Sequence, residues 1–265
     1  MPGGQDHAVV YSDDFIVKLE LLWGDGFLSP GGADEIAELF REEDLSGASV
    51  LNLGCGLGAM DRILARDHGA ARVLGVDIEP QLVERAQAAA KRDGLEDRVT
   101  FQLVAPGPLP FPDGSFDVVT SKDAIICIKD KRAVYGELLR VLKPGGRLIL
   151  SDWLSGTPPF SAEMHAWMDS APGHYFMVTL ADTVAMLEDL GFVDVRSRDR
   201  NDWYVTMVRR EEAEMRGAKR AQLIELFGEA EAQAWAERVA KKAAAVAMGD
   251  LRPGHLGARK AGHPT

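Results

Sequence analysis

The sequence predicts an α/β fold: a doubly wound, seven-stranded, mostly parallel sheet with an N-terminal helical lid and a C-terminal helical insertion. Three observations carry this. From residue 48 onward, short apolar runs alternate with amphipathic helical patterns, the order that builds a parallel sheet covered on both faces. The first run passes straight through a glycine-rich turn into a helix, VLNLGCGLGAM, and the second run ends in an acid, Asp77. The length of 265 residues, 46% apolar and 27% charged, suits one such domain with helical additions.

Taken in order, residues 13–22 have helical spacing and end in WGDGFLSPGG, a turn-rich stretch with four glycines and a proline. An amphipathic helix is predicted over residues 33–45. Strands follow at 48–54, 71–77, 99–105, 115–123 and 147–154, and helices at 59–69, 79–94 and 131–146, the last closed by Pro-Gly-Gly. Beyond them come a short helix at 160–171, a clearer one at 181–192, a strand at 193–199, a long helical stretch at 202–247 and a last strand at 254–261. This divides a single domain, 1–265, into a lid and helices (1–46), a cofactor-binding core (47–155), and a substrate cap with the helical insertion and last strands (156–265). An insertion before the last strand lies where it can cap the sheet; its plainer reading is a solvated helical hairpin.

A net charge of −11 argues against a nucleic-acid partner, whose phosphates need Lys and Arg, and against an anionic membrane surface. Two cysteines, Cys55 and Cys127, have neither metal-site nor disulfide spacing, so no metal is expected and the compartment reads as reducing and cytoplasmic. No signal-peptide pattern and no run of about 20 apolar residues is seen. The oligomeric state is not legible.

The strongest local signal is the loop Gly54, Gly56, Gly58. Glycines there permit a tight turn and close approach of a ligand to the backbone. Asp77 ends the next strand, where a carboxylate accepts from both ribose hydroxyls of an adenosine group, and Ile78 follows it. Cys55 reads as a small buried filler.

The G-x-G-x-G spacing, with LPFPDGSFDVV and LLRVLKPGGRLILSDW after it, resembles the class I S-adenosylmethionine-dependent methyltransferases. YSDDFIVKLELLWGDGFLSPGG and SKDAIICI resemble, more narrowly, the phosphoethanolamine N-methyltransferases, and the likeness extends loosely to the C-terminus. The resemblance implies S-adenosyl-L-methionine as cofactor, S-adenosyl-L-homocysteine as product, and a small-molecule amine as partner. It implies that Tyr11 and Asp123 are catalytic, with Asp123 holding the amine, and that Ser29 and Lys122 lie by the cofactor's methionine end. Cys127, Trp153, His174, Tyr175 and Arg238 are then candidates for substrate contact. Trp23 and Trp203 are further candidates for an aromatic cage, against the plainer reading of core packing. Asp123 could equally cap a helix.

Four positions depart from that family's pattern. Ala105 and Asn52 stand where the family carries Asp, Cys127 where it carries His, and Gly173 where it carries a phosphate-binding Arg. The expectation is therefore an N-methyltransferase whose amine bears a carboxylate or no phosphate. The alternatives are transfer to sulfur, oxygen or carbon, or a cofactor-binding protein without catalysis.

Overall fold

All seven expected strands form and join one sheet. The computed structural model describes residues 11–171 and 173–262; residues 1–10, the start of the expected lid, lie outside the described residues. Strands β1 (Ser49–Leu53), β2 (Arg72–Asp77), β3 (Val99–Leu103), β4 (Phe116–Lys122), β5 (Leu142–Ser155), β6 (Phe192–Asp199) and β7 (Leu251–Lys260) stand in the order β3-β2-β1-β4-β5-β7-β6. The first five are parallel, while β7 runs antiparallel to both neighbours. The order reverses between β1 and β4, which opens a crevice at their C-terminal ends, the usual ligand position in such sheets.

Successive residues of β1 point to opposite faces, so Val50 and Leu51 enter different cores. On one face Val50 and Val73 pack with α2 (Gly32–Leu39), α3 (Ala59–Asp67) and α4 (Pro80–Arg92) through Ile36, Leu64, Val83 and Ala86. On the other, Leu51 and Val119 meet α5 (Lys131–Val141) and α7 (Leu180–Asp189) through Leu138 and Leu187.

The remaining helices are α1 (Asp13–Trp23), α6 (Ala162–Ser170), α8 (Asn201–Glu214), α9 (Ala218–Phe227) and α10 (Glu229–Ala247). Met164, Trp167, Tyr204, Val208 and Val246 bury a third cluster among α6, α8 and α10. Leu19 and Leu22 of α1 pack against Met215, Leu223, Trp235 and Val239. The insertion therefore packs against α1 and is not a solvated hairpin. Among the described residues no helix is long and apolar enough to cross a membrane.

Three boundaries differ from expectation. The helix predicted over 33–45 ends at Leu39, because Phe40 turns into the core and Arg147 draws out both the Glu43 carboxylate (2.6 Å) and the Asp44 carbonyl (2.6 Å). The stretch 202–247 is three helices, broken at Gly217 and at Gly228, whose φ of 87° leaves the helical region. Lys143 to Gly146 do not simply stop a helix; they bulge into β5, where pairing with β4 jumps from Phe116–Leu142 to Val118–Arg147.

Candidate active site

The backbone reverses after β1 through Gly54, Gly56 and Gly58, all at positive φ (74°, 54° and 75°). A Cβ at Gly54 would lie 2.2 Å from Ala124 Cβ, and one at Gly58 2.4 Å from the Phe101 ring. Those two glycines are thus required by the chain's own packing; only at Gly56 is the neighbour the lid, Leu28 at 3.1 Å. Gly56 N–H donates to Asp77 Oδ2 (2.9 Å) and Glu79 N–H to Asp77 Oδ1 (3.1 Å). Burial raises the Asp77 carboxyl above the ordinary range, and these amides only partly oppose it. Each oxygen keeps a lone pair for a hydroxyl donor. Beside it Ile78 and Leu103 are 46% and 49% exposed, an unusual state for large apolar side chains, and Ala105 is exposed as well. A carboxylate for two hydroxyls and open apolar walls for a flat base fit an adenosine group; no side chain at 105 meets the base's amino group.

Beneath the loop, Asn52 Nδ2 donates to Asp61 Oδ2 (2.9 Å). Asp61 is fully buried, and that burial pushes its carboxyl up to about 7. Cys55 is buried and its thiol is pushed far up by burial, which keeps it unreactive, as expected of a filler.

A second corner forms where β4 ends. Asp123 has a left-handed backbone (φ 56°), a conformation Asp tolerates better than most, and its N–H donates to Ser151 O at 2.8 Å. Its side chain caps no helix: Asp130 caps α5 instead. Lys122 Nζ donates to Ser29 Oγ (2.6 Å), Pro30 O (2.9 Å) and Asp123 Oδ2 (2.6 Å). Asp123 Oδ1 is buried without a partner among the described residues. The next turn, Ile125–Cys127, is held by Ile126 N–H donating to Asp152 Oδ1 (3.2 Å) and by Lys131 Nζ donating to Ile125 O. Burial pushes Asp152 up to about 7, with Lys131 opposing and Asp123 adding to the shift; burial pushes Lys131 down. Although Cys127 is an exposed residue, its crowded sulfur and the Asp152 charge push the thiol up to about 11. Burial, followed by the nearby Cys127, Tyr175, Asp77 and Glu79, raises the Tyr11 phenol far above its usual value. The Tyr11 ring packs by Phe15 and Leu28.

Above this corner, Trp235, Arg238, Val239 and Lys242 share one face of α10. With Leu19, Leu22, Trp23, Trp153 and Trp167 they enclose a cavity of about 30 Å³, room for on the order of two waters. Tyr175 stacks on Trp167 (5.3 Å, 12°). Arg238 lies 5.4 Å over Phe15 and 5.2 Å over Trp235, beside the Tyr175 hydroxyl, and meets no carboxylate among the described residues. Lys242 differs, being paired with Glu211, which also accepts from Trp23 Nε1 at 2.7 Å. Trp235 Nε1 and the fully buried Tyr204 Oη have no partner.

Of the expected site residues, the structure joins Ser29 with Lys122 and Asp123 by hydrogen bonds, and sets Tyr175 against Trp153 and beside Arg238. Trp153 and Trp23 line the cavity. Trp203 does not; it stacks on Tyr204 and beneath Arg200. His174 is exposed. Sequence reasoning missed Asp152, Phe15, Trp167, Glu211, Trp235 and Lys242. The spacing 235, 238, 239, 242 was the available signal for the α10 face, and an acid inside the apolar run LILSDWL the one for Asp152.

A family described as a methyltransferase domain matches residues 44–208, and the chain belongs to it. Phosphoethanolamine N-methyltransferase 1 of Arabidopsis thaliana is 32% identical over 204 residues, covering 77% of this chain and 40% of that protein. The chain thus spans about two-fifths of the length of that curated relative. The solved phosphoethanolamine N-methyltransferase 2 of Haemonchus contortus, in complex with phosphomonomethylethanolamine and S-adenosylhomocysteine, shares the fold with a TM-score of 0.88 at 22% identity, covering 96% of this chain and 59% of that one. A candidate sarcosine dimethylglycine methyltransferase of Galdieria sulphuraria shares it with a TM-score of 0.81 at 23% identity, and there the coverage is 94% and 97%.

Proposed function

We propose that the chain methylates the nitrogen of a small amine that carries a compact acidic group, with S-adenosyl-L-methionine as donor. The observation that carries the reading is Asp123 Oδ1, a buried carboxylate oxygen without a partner, at the crevice beside the glycine loop and Asp77. When bound, the donor supplies a methyl group on a sulfonium, which departs as a neutral thioether.

The chain's contribution is positioning and electrostatics. Asp77, fixed by the Gly56 and Glu79 amides, would hold the ribose, with Ile78 and Leu103 beside the base. Asp123 Oδ1 accepts from the amine's N–H, aiming the nitrogen at the methyl. Tyr11 stays protonated at neutral pH, since burial raises its phenol, so it orients the amine by hydrogen bonding and does not act as a base. Cys127 stays a thiol for the same reason and forms a wall. Arg238 is supported as the acid-binding group, because a half-buried guanidinium that meets no carboxylate among the described residues invites one. The small cavity at its side favours a carboxylate over a bulkier phosphate. Similarity to the Galdieria protein, which this chain matches over nearly its full length, points the same way.

The test is S-adenosylhomocysteine formation in a panel of glycine, sarcosine, ethanolamine and phosphoethanolamine. Turnover is expected to be best with a carboxylate-bearing amine; phosphoethanolamine as the best substrate sinks the carboxylate claim, and no turnover with any amine sinks N-methylation.

A further inference from the structure

We propose that Lys122 is a positioning residue that couples closure of the lid to the readiness of Asp123; the inference rests on the amine-methylation reading above. The ammonium has three N–H donors, and all three are engaged by protein acceptors: Ser29 Oγ, Pro30 O and Asp123 Oδ2, at 2.6, 2.9 and 2.6 Å. None remains for a cofactor carboxylate. Two of these acceptors lie in the segment joining α1 to α2, 93 and 92 residues distant in the chain, and the third belongs to the amine-binding carboxylate. Both charged side chains are only 7% exposed, so water and salt screen the pair weakly.

The contacts divide the work among these groups. The Asp123 N–H bond to Ser151 O anchors the root of the carboxylate. Lys122 then holds Oδ2, which turns Oδ1 towards the amine site. The far side of the lid has separate anchors: Glu35 of α2 meets Arg200 and His255. Those contacts hold α2 independently of Lys122. Among the described residues, Lys122 is the one side chain that hydrogen-bonds Ser29 and Pro30. When they lift away, Lys122 loses two of its three acceptors and Asp123 loses its fixed orientation, so the amine site is complete only with the lid shut.

The test compares Lys122→Met and Lys122→Arg with the unaltered chain in three measurements: calorimetry with S-adenosylhomocysteine, hydrogen exchange over residues 24–31, and steady-state kinetics with sarcosine. For Lys122→Met, exchange over 24–31 is expected to rise about tenfold or more, and the sarcosine KM likewise, with S-adenosylhomocysteine affinity within about threefold. Lys122→Arg is expected to restore most of the protection and the KM. Should Lys122→Met fail to fold, Ser29→Ala leaves the Lys122–Asp123 pair intact and carries the same expectation at smaller size. Weakened S-adenosylhomocysteine binding with unchanged exchange overturns the proposal in favour of a cofactor ligand; unchanged exchange with unchanged KM overturns it outright. If no amine is turned over at all, the methylation reading fails, and exchange with calorimetry still decides whether Lys122 latches the lid.

Discussion

The two halves of the crevice are built in different ways. The proposed cofactor half lies within about 50 residues of chain: the glycine loop, Asp77, Ile78 and Leu103 all sit at the ends of adjacent parallel strands. Its key bonds are backbone amides to one carboxylate. The proposed acceptor half draws on Tyr11, Asp123, Asp152, Tyr175 and Arg238, residues spread over more than 200 positions. A half made from backbone geometry tolerates side-chain changes around it. A half made from distant side chains is tunable; the four departures from the family's pattern fall on both sides, Asn52 and Ala105 by the glycine loop and the base edge, Cys127 and Gly173 on the acceptor side.

Substitutions on each side can break or sharpen that division. Asp123→Asn should have the largest effect, lowering kcat/KM about a hundredfold or more, because it removes one partner of a buried pair. Its S-adenosylhomocysteine affinity, measured by calorimetry, should change little. Asp77→Ala should do the converse, weakening S-adenosylhomocysteine about a hundredfold through lost charge-assisted bonds. Arg238→Met should raise the KM of an acidic amine about tenfold while leaving that of ethanolamine unchanged. An equal loss of cofactor affinity in the Arg238 variant would show that the halves are not separate.

The pH dependence bears on the same contrast, since each half hides one raised acid. Asp61 lies beneath the glycine loop and Asp152 beneath the Cys127 turn, both pushed up to about 7 from 3.8 chiefly by burial. Between pH 4 and 7 the native state holds protons that the unfolded chain has released. Stability contributed by these groups is therefore present at low pH and lost as pH rises through 7. Asp61→Asn removes one such group and should narrow the Tm difference between pH 5 and pH 8 by a few degrees, read by thermal unfolding at both values. Cys127→Ala should have the smallest effect, with activity within about threefold, because a thiol pushed up to about 11 contributes packing and not proton transfer.

Asn52 shows how a departure legible in the sequence acquires meaning only in the fold. At its position an Asp would face the buried Asp61 carboxyl; the amide instead donates to it at 2.9 Å. Ala105 reads the same way before and after folding, as a missing polar contact at an exposed edge. Lys122 was legible as a site residue, yet its engagement with Ser29 and Pro30 depends on a loop more than 90 residues away.

The sequence by itself determined the sheet, the seven strands, the glycine loop and its acid. Each depends on periodicity and turn chemistry within a few residues, which the chain encodes locally. Tertiary structure alone decided that three helices from a charge-rich stretch pack on α1, that among the described residues Arg238 meets no carboxylate while Lys242 meets Glu211, and that Asp123 offers one oxygen and not two. Those outcomes depend on which distant side chains arrive together in a water-poor space, where an unmet charge is costly and a met one is silent. No local pattern carries that information.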